Sequence, residues 1–153
     1  HFLWVHRLVS YKHSELVAEA FRTLPFSLTM VGVGPLEQRL RATLPDNVEL
    51  RGWLARDELI GLYERAAGFL HIGEEDFGIT MVEALAAGVP VIALNRGGAR
   101  DIVRDGEDGV LIDEPSLERT STFRHRLCIS LMSTLKLSGI PGSGIFSPLT
   151  MAS

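Results

Sequence analysis

Hydrophobic and polar residues follow two different rhythms over the first three quarters of the chain. Short, mostly continuous apolar runs are typical of buried strands and predict strands at residues 2–6, 27–31, 68–72, 89–94 and 109–112, with a further, shorter strand at residues 47–52. The stretches between them, at residues 13–24, 35–44, 56–67, 78–87 and 98–103, carry apolar residues at helical spacing. Strands that are apolar on both faces, each followed by a helix, predict a doubly wound α/β domain with a parallel sheet.

The loops that follow the strands are the places where such a sheet binds ligands, because its crevices open beyond the carboxyl ends of the strands. These loops are residues 7–12, 32–35, 73–78 and 95–98. In the first of them, Arg7 and Lys12 place two cations near helix N-termini, which already attract anions. A diphosphate is an anion of suitable size and charge, and a solvated pair of cations beside a helix is the simpler interpretation.

An acidic stretch occupies the loop after the fourth strand. Three adjacent carboxylates at residues 74–76 precede a predicted helix, and simple N-terminal capping accounts for them. Glu83 lies inside that helix among apolar neighbours, so we expect it to need a polar partner, for which the two hydroxyls of a ribose are suitable. Gly78 leaves room for the backbone N–H groups of Ile79 and Thr80 to hold phosphate oxygens.

Glycines also occur in two other loops, as Gly32 with Gly34 and as the pair Gly97 and Gly98. They are weak indicators of phosphate binding, because glycine recurs in strand-to-helix turns for steric reasons. The three-glycine spacing of dinucleotide-binding proteins is absent from the sequence. A nicotinamide or flavin enzyme is therefore not favoured.

Composition narrows the class of protein. The chain has 153 residues, 46% of them hydrophobic, and its net charge of −4 argues against nucleic acid as a partner. A single cysteine, Cys128, excludes an internal disulfide and a multi-cysteine zinc site. The sequence has no apolar run long enough for a transmembrane segment and no signal peptide. It starts on a predicted strand without an initiator Met, which suggests a piece of a longer protein.

Several short motifs follow one another in a fixed order. They are Arg7-Leu8-Val9 with Tyr11-Lys12, Gly32-x-Gly34-Pro35, Asn47-Val48 with Gly52, Glu75 eight positions before Glu83, the run Glu83-Ala84-x-Ala86-x-Gly88-x-Pro90-Val91-Ile92, Gly97-Gly98 and Asp108-Gly109. Over roughly residues 2–114 this order resembles the C-terminal, donor-binding half of retaining glycosyltransferases of family 4, also called group 1. The resemblance implies a doubly wound, Rossmann-like parallel sheet that forms the C-terminal half of a GT-B architecture.

The resemblance also implies roles for individual residues. Arg7 and Lys12 match the cations that hold the donor diphosphate and stabilise it as a leaving group, and Glu75 matches the carboxylate beside the donor sugar. These three are the implied catalytic residues, and Glu83 matches the residue that binds the nucleotide ribose. The other implied donor-binding residues are Phe77, Gly78, Ile79, Thr80, Gly97 and Gly98. Such enzymes work without a metal or other cofactor, and the sequence has no Asp-x-Asp motif.

The same resemblance implies a substrate class. Residues 74–79 and the pair Tyr11-Lys12 look most like bacterial mannosyltransferases of surface polysaccharide assembly, so the expected donor is GDP-mannose. The expected reaction moves the hexose, with retention, to a saccharide or lipid-linked acceptor. The acceptor-binding N-terminal domain is not in this chain, and we expect the chain alone to bind donor weakly without turning it over. The expected location is the cytoplasm, with attachment to the inner face of the membrane an option for a full-length parent.

Two alternatives stay open. One is a non-catalytic module that binds nucleotides or nucleotide sugars, and the other is a different enzyme of GT-B architecture, such as an epimerase or a synthase. The spacing of Glu75 and Glu83 disfavours the epimerase. One position departs from the family, because His6 stands where glycine usually precedes Arg7. We expect this histidine to tighten the first turn around the phosphates.

The end of the chain differs in character from the rest. Up to Glu118 there are 11 Lys and Arg against 19 acidic residues, whereas the remaining residues have four cations and no acid. From about Ser116 the sequence is rich in Ser, Thr, Gly and Pro and lacks apolar spacing. We therefore divide the chain into a nucleotide-sugar-binding domain over residues 1–115 and an atypical tail over residues 116–153. We interpret the tail as disordered or non-native, for instance a shifted reading frame, and the alternative is a family-specific helix over residues 123–137.

A disordered tail exposes its backbone amides to solvent. We therefore expect residues 120–153 to exchange their amide hydrogens fast, while the strands of the sheet stay protected. Hydrogen exchange followed by mass spectrometry measures both segments in one experiment. Slow exchange across the tail would contradict the interpretation.

Overall fold

A computed structural model describes residues 1–113 together with Ile129, Ser130 and Thr134. In this part of the chain six strands form one fully parallel sheet in the order β3-β2-β1-β4-β5-β6. The strands are β1 (Phe2–Val5), β2 (Leu28–Val31), β3 (Val48–Arg51), β4 (Gly68–His71), β5 (Val91–Leu94) and β6 (Gly109–Ile112). The helices are α1 (Ser14–Phe21), α2 (Glu37–Arg41), α3 (Arg56–Arg65), α4 (Ile79–Ala86) and α5 (Ala99–Ile102), and a 3-10 turn at Ser10–Lys12 precedes α1.

The predicted fold class is confirmed, and so is the position of each strand and helix within the described residues. The main difference is α2, which we expected over residues 35–44 and which spans Glu37–Arg41. Its end has a local cause, because Leu44 precedes Pro45 and a residue before proline is disfavoured in the helical conformation. Thr43 already leaves the helical hydrogen-bond pattern and donates its N–H to the carbonyl of Leu40.

Successive side chains along a strand point to opposite faces of the sheet, so they pack into two separate hydrophobic cores, one on each face. On one face, α1 and α2 cover Phe2, Trp4, Leu28, Met30, Val48 and Leu50 with Val17, Phe21 and Leu40. On the other face, α3, α4 and α5 cover Leu3, Phe69, Val91 and Ala93 with Leu62, Met81 and Ala99. Both faces of each central strand are therefore out of water, which explains why the strands are continuous apolar runs.

The strand order reverses between β1 and β4. Successive units run outward from β1 in one direction, through β2 to β3, and from β4 in the other, through β5 to β6. Phe2 pairs with Gly68 and Leu3 with Phe69 across this junction. Because the connecting helices lie on opposite faces of the sheet, the loops that leave β1 and β4 diverge and open a crevice between them.

The predicted boundary between residues 115 and 116, and nearly all of the predicted tail, lie outside the described residues. Cys128 is also outside them. Of the tail, Ile129, Ser130 and Thr134 are described, and each has helical backbone. Thr134 is fully buried and lies beside Gly68 at the start of β4.

Two histidines meet in the sheet directly below the crevice. His71 ends β4 and is 1% exposed, and its ring meets the ring of His6 edge-on, with centroids 4.5 Å apart. Neither ring nitrogen of His71 nor Nε2 of His6 has a hydrogen-bond partner within the described part of the chain. Burial and the nearby charge of Lys12 lower the pKa of His71 from 6.5 to about 4. Burial, the other histidine and Lys12 lower the pKa of His6 well below its usual value.

The low pKa values of this pair make stability depend on pH. Below pH 6.5 the unfolded chain takes up protons on both imidazoles, whereas the folded chain keeps them neutral until the pH nears their lowered pKa values. We expect the free energy of unfolding to be fully developed above pH 6.5. It should fall by about 1.4 kcal/mol per pH unit for each histidine as the pH drops towards 4. Urea unfolding at a series of pH values measures this slope.

His71→Phe is the matched variant, since it keeps an aromatic ring and removes the titrating group. Its slope between pH 6.5 and 5 should be smaller than that of the wild type by about one proton. An unchanged slope in this variant would show that His71 is not held neutral in the folded chain.

Candidate functional site

Four loops meet at the carboxyl edge of the sheet. The loop after β2 lies against the loop after β1, where Leu8 donates its N–H to the carbonyl of Val33 at 3.0 Å. This approach requires glycine, because a Cβ at Gly34 would lie 2.5 Å from the Leu8 carbonyl oxygen and one at Gly32 would lie 1.8 Å from that of His6. Within the described residues, Gly32 and Gly34 therefore serve to let the backbones of the two loops approach each other closely.

His6 does not act as the sequence led us to expect. Its ring does not narrow the turn before Arg7 but packs in the sheet, against His71 and 4.8 Å from the ring of Trp4. The turn is tightened instead by the backbone approach of Gly32. The expectation failed because a side chain at the end of a strand can point into the core as easily as into the loop.

Lys12 is the buried cation of the site. The 3-10 turn directs it inward, so that only 3% of the residue is exposed. Its ammonium forms an ion pair with Glu75, donates to the carbonyl of Glu74 at 3.3 Å, and lies 5.0 Å from the centre of the Tyr11 ring. The stem of Lys12 passes over Gly73, where a Cβ would come within 2.8 Å of it. The sequence predicts that Lys12 lies beside an anion, and within the chain this anion is Glu75.

Glu75 is held from two sides. Besides the ion pair with Lys12, its carbonyl oxygen accepts a hydrogen bond from the N–H of Gly98 at 2.8 Å. A Cβ at Gly97 would lie 2.5 Å from the Glu75 carbonyl oxygen, and one at Gly98 would lie 2.5 Å from that of Asp76. The loop after β5 thus packs directly on the backbone that carries Glu75. This contact gives Gly97 and Gly98 a structural role beside the donor-binding role implied by the resemblance.

The N-terminus of α4 carries no acidic cap, so capping does not account for the three carboxylates at residues 74–76. The N-cap is Gly78, which has a φ of 67°, and the first turn contains no acidic residue. Glu74 instead lies 3.7 Å from Arg96. No acceptor for the N–H of Ile79 or Thr80 occurs in the described part of the chain. The helix start therefore presents free donors to an incoming anion.

Arg7 lies at the rim of an apolar cavity beside these donors. The cavity has a volume of about 360 Å³ and is lined by Val5, His6, Arg7, Val31, Gly32, Val33, Gly52, Trp53, Leu54, Leu59 and Thr80. Arg7 is exposed and forms no ion pair within the described residues. Trp53 is 77% exposed, so its ring is open to a stacking partner. Arg7 and Thr80 line the same cavity as Trp53. A planar group covalently attached to an anion at Arg7 and the start of α4 would therefore be able to reach the cavity.

Glu83 lies one turn along α4 from Thr80, and its surroundings differ from those we expected. Its side chain is exposed rather than enclosed by the apolar neighbours that the sequence suggested. Its polar partner within the chain is Tyr63 on α3, whose hydroxyl donates to Oε2 of Glu83 at 3.2 Å. Leu59 and Thr80 line the cavity, and Tyr63 and Glu83 follow them by four and three residues on their helices. Glu83 thus lies one helical turn beyond the lining residue Thr80.

Phe77 and Ile79 are two of the most exposed apolar residues near the crevice, with 71% and 62% of their surface accessible. They flank Gly78 at the turn into α4. The implied site residues are thus linked by contacts: Arg7 shares a cavity with Thr80, Lys12 pairs with Glu75, and Gly97 and Gly98 pack on the backbone of residues 75–76.

Sequence reasoning missed three contributors, Tyr63, Gly73 and Trp53. In the sequence Tyr63 stands among the apolar residues at helical spacing over residues 56–67, and the tendency of a buried tyrosine hydroxyl to have a polar partner is the signal that could have pointed to it. Gly73 and Trp53 gave no local signal, because their importance arises from contacts with residues distant in sequence.

The described residues contain neither a metal-binding cluster nor a helix that could span a membrane. No group of three or more His, Cys, Asp and Glu side chains there is arranged to hold a metal ion. None of the described helices is long and apolar enough to cross a membrane.

Comparison with known proteins supports the resemblance. The family described as "Glycosyl transferases group 1" matches residues 1–122. A GDP-mannose-dependent alpha-mannosyltransferase of Mycolicibacterium smegmatis is 39% identical over 119 residues, covering 75% of this chain and 31% of that protein. A protein of the same description from Corynebacterium glutamicum is 35% identical over 118 residues, covering 76% of this chain and 28% of that protein.

Solved structures agree on the fold. The C-terminal domain of a glycosyl transferase group 1 family protein, LpcC, from Francisella tularensis superposes with a TM-score of 0.68 at 22% identity, covering 90% of this chain and 80% of that one. The sheet is therefore that of the C-terminal half of a GT-B architecture. The chain spans about a third of the length of the two mannosyltransferases it resembles. Since the family match covers most of its residues, the chain belongs to the group 1 glycosyltransferases.

Proposed function

We propose that this chain is the donor-binding half of a glycosyltransferase that moves mannose from GDP-mannose, with retention, to a saccharide or lipid-linked acceptor. The observation that carries the proposal is a helix start with free N–H groups that shares a cavity with Arg7 and follows the loop in which Glu75 pairs with Lys12. The two relatives described above are named as GDP-mannose-dependent, which supports this choice of donor. The acceptor would bind to a part of the parent protein outside this chain. The parent protein would act in the cytoplasm.

The diphosphate would lie between Arg7, Lys12 and the start of α4. The N–H groups of Ile79 and Thr80 and the positive end of the helix dipole favour an anion there. As the bond between the anomeric carbon and the phosphate oxygen breaks, the diphosphate gains negative charge. Arg7 and Lys12 would stabilise this charge, so that no metal ion is required for the step.

The nucleoside would extend from the diphosphate towards Trp53. Its base would enter the apolar cavity and its ribose would lie against Glu83, because a carboxylate can accept hydrogen bonds from both vicinal hydroxyls. The sugar would lie on the opposite side, against Glu75. There the carboxylate would accept hydrogen bonds from sugar hydroxyls and stabilise positive charge at the anomeric carbon.

Removal of Arg7 should weaken donor binding without unfolding the chain, because its side chain is exposed and pairs with nothing in the described residues. We expect Arg7→Ala to reduce affinity for GDP and GDP-mannose about tenfold or more, the usual effect of losing a charge-assisted hydrogen bond. Isothermal titration calorimetry on the 153-residue chain, with EDTA present, measures this. GDP-mannose should bind more tightly than UDP-glucose.

Arg65→Ala is the matched control, because Arg65 is also exposed and ends α3 at the edge of the sheet opposite the crevice. It should leave both affinities unchanged. Failure of the folded wild-type chain to bind any of these nucleotides would overturn the donor-site assignment.

A methyl group at Gly98 should disturb the sugar side of the site specifically. The φ of Gly98 is −61°, so alanine suits the backbone, but its Cβ would lie 2.5 Å from the Asp76 carbonyl oxygen and push the Glu75 loop outward. We expect Gly98→Ala to lower the affinity for GDP-mannose several-fold while GDP itself binds nearly as before. The affinity ratio of the two ligands is the measured quantity.

Gly88→Ala provides the comparison. Gly88 has a φ of 76° and no atom within 4 Å of its would-be Cβ, so the substitution strains the end of α4 by about 1 kcal/mol without moving the Glu75 loop. It should lower stability and leave the affinity ratio alone. Equal ratios in the two variants would mean that the loop after β5 does not position Glu75.

A further inference from the structure

Tyr63 combines a buried ring with a hydroxyl that reaches the edge of the crevice. It lies on α3, is 4% exposed, and packs on Phe69 with ring centroids 5.7 Å apart. Its hydroxyl lies 3.2 Å from Oε2 of Glu83 and 3.5 Å from the carbonyl oxygen of Thr80. A phenol has one proton to donate, and the shorter contact to a charged acceptor is the stronger of the two.

The hydroxyl is available as a donor to Glu83. Burial and the neighbouring charge of Glu83 both raise the pKa of Tyr63 above its ordinary value. The phenol therefore keeps its proton at neutral pH and can donate it to the carboxylate.

Glu83 does not need this hydrogen bond for its solvation. Its side chain is exposed, so water can satisfy both carboxylate oxygens. What the bond changes is orientation, because a free glutamate samples many rotamers and loses that freedom when it must bind a ligand. With Oε2 fixed by Tyr63, the carboxylate is held in one orientation, one turn from Thr80, before a ligand arrives.

We propose that Tyr63 is a positioning residue, whose hydroxyl fixes Glu83 in the orientation that accepts the vicinal diol of the nucleotide ribose. This assignment rests on the proposed function, since it concerns the same donor site. Tyr63 itself touches no substrate. Its effect should therefore appear only with ligands that carry ribose hydroxyls.

The test compares GDP with 2′,3′-dideoxy-GDP by calorimetry on the 153-residue chain. The wild type should bind GDP more tightly than the dideoxy nucleotide. In Tyr63→Phe, which keeps the ring and its packing, we expect GDP affinity to fall several-fold, up to about tenfold, because the ligand must then immobilise the Glu83 side chain itself. The affinity for the dideoxy nucleotide should be unchanged, so the preference for ribose shrinks by the same factor.

Two Glu83 variants complete the test. Glu83→Gln should lose the same preference, and Tyr63→Phe combined with Glu83→Gln should lose no more than the stronger single variant. Glu83→Asp keeps the charge but draws the carboxylate back from Tyr63. It should also lose the preference, and it gives a result even if Tyr63→Phe proves unstable.

Leu62→Val is the packing control, because Leu62 is buried on the same helix and has no polar group. It should leave the ratio of GDP to dideoxy-GDP affinity at the wild-type value. If Tyr63→Phe keeps that ratio while Glu83→Gln lowers it, Tyr63 serves packing alone and the assignment is wrong. A wild-type chain that binds GDP without preference for ribose also overturns it. A folded chain that binds no nucleotide overturns the proposed function itself, and the assignment with it.

Discussion

The pairing of β1 with β4 is the contact on which the site depends. These strands are more than sixty residues apart in sequence, yet Phe2 and Gly68 are register partners in one parallel ladder. Parallel pairing brings the carboxyl ends of both strands to the same edge, so the 3-10 turn that carries Lys12 comes to lie against the loop that carries Glu75. The reversal of strand order at this pair then leaves a crevice beside them, and the helix start after Gly78 faces into it.

Burial of Lys12 is a consequence of that arrangement and sets the electrostatics of the crevice. An ammonium with 3% of its residue exposed is costly unless a charge of opposite sign compensates it. Glu75 supplies this charge, and the carbonyl of Glu74 supplies a further acceptor. A diphosphate bound at the start of α4 would draw on the same ammonium. The phosphate would contact Lys12 itself, and the sugar would contact Glu75, which Lys12 holds. Binding of the two ends of the donor would therefore be coupled through this cation.

The sequence predicts the sheet well because burial on both faces imposes a local pattern, which β1, β2, β4 and β5 show, whereas the edge strand β3 alternates buried and exposed residues. It also indicates which loops form the crevice, since these follow from strand order. The environments of individual side chains are less predictable, because they depend on distant contacts. Glu83 has apolar neighbours in sequence and is nevertheless exposed. Lys12 looks like a loop cation, and only the approach of Gly73 allows it to be buried.

The two glutamates of the motif share a chemistry and differ in what balances them. Glu75 is paired with an ammonium, so its negative charge is largely neutralised where a diphosphate would come near, and mutual repulsion is small. Glu83 is held by a neutral phenol and keeps its full charge, which suits a carboxylate whose proposed ligands are uncharged hydroxyls. Exchange of these partners would place an unbalanced carboxylate beside the phosphates and a neutralised one beside the ribose. Each partner thus suits the surroundings of its glutamate: the cation offsets the carboxylate that lies near the proposed diphosphate, and the phenol orients the carboxylate that is proposed to face the ribose.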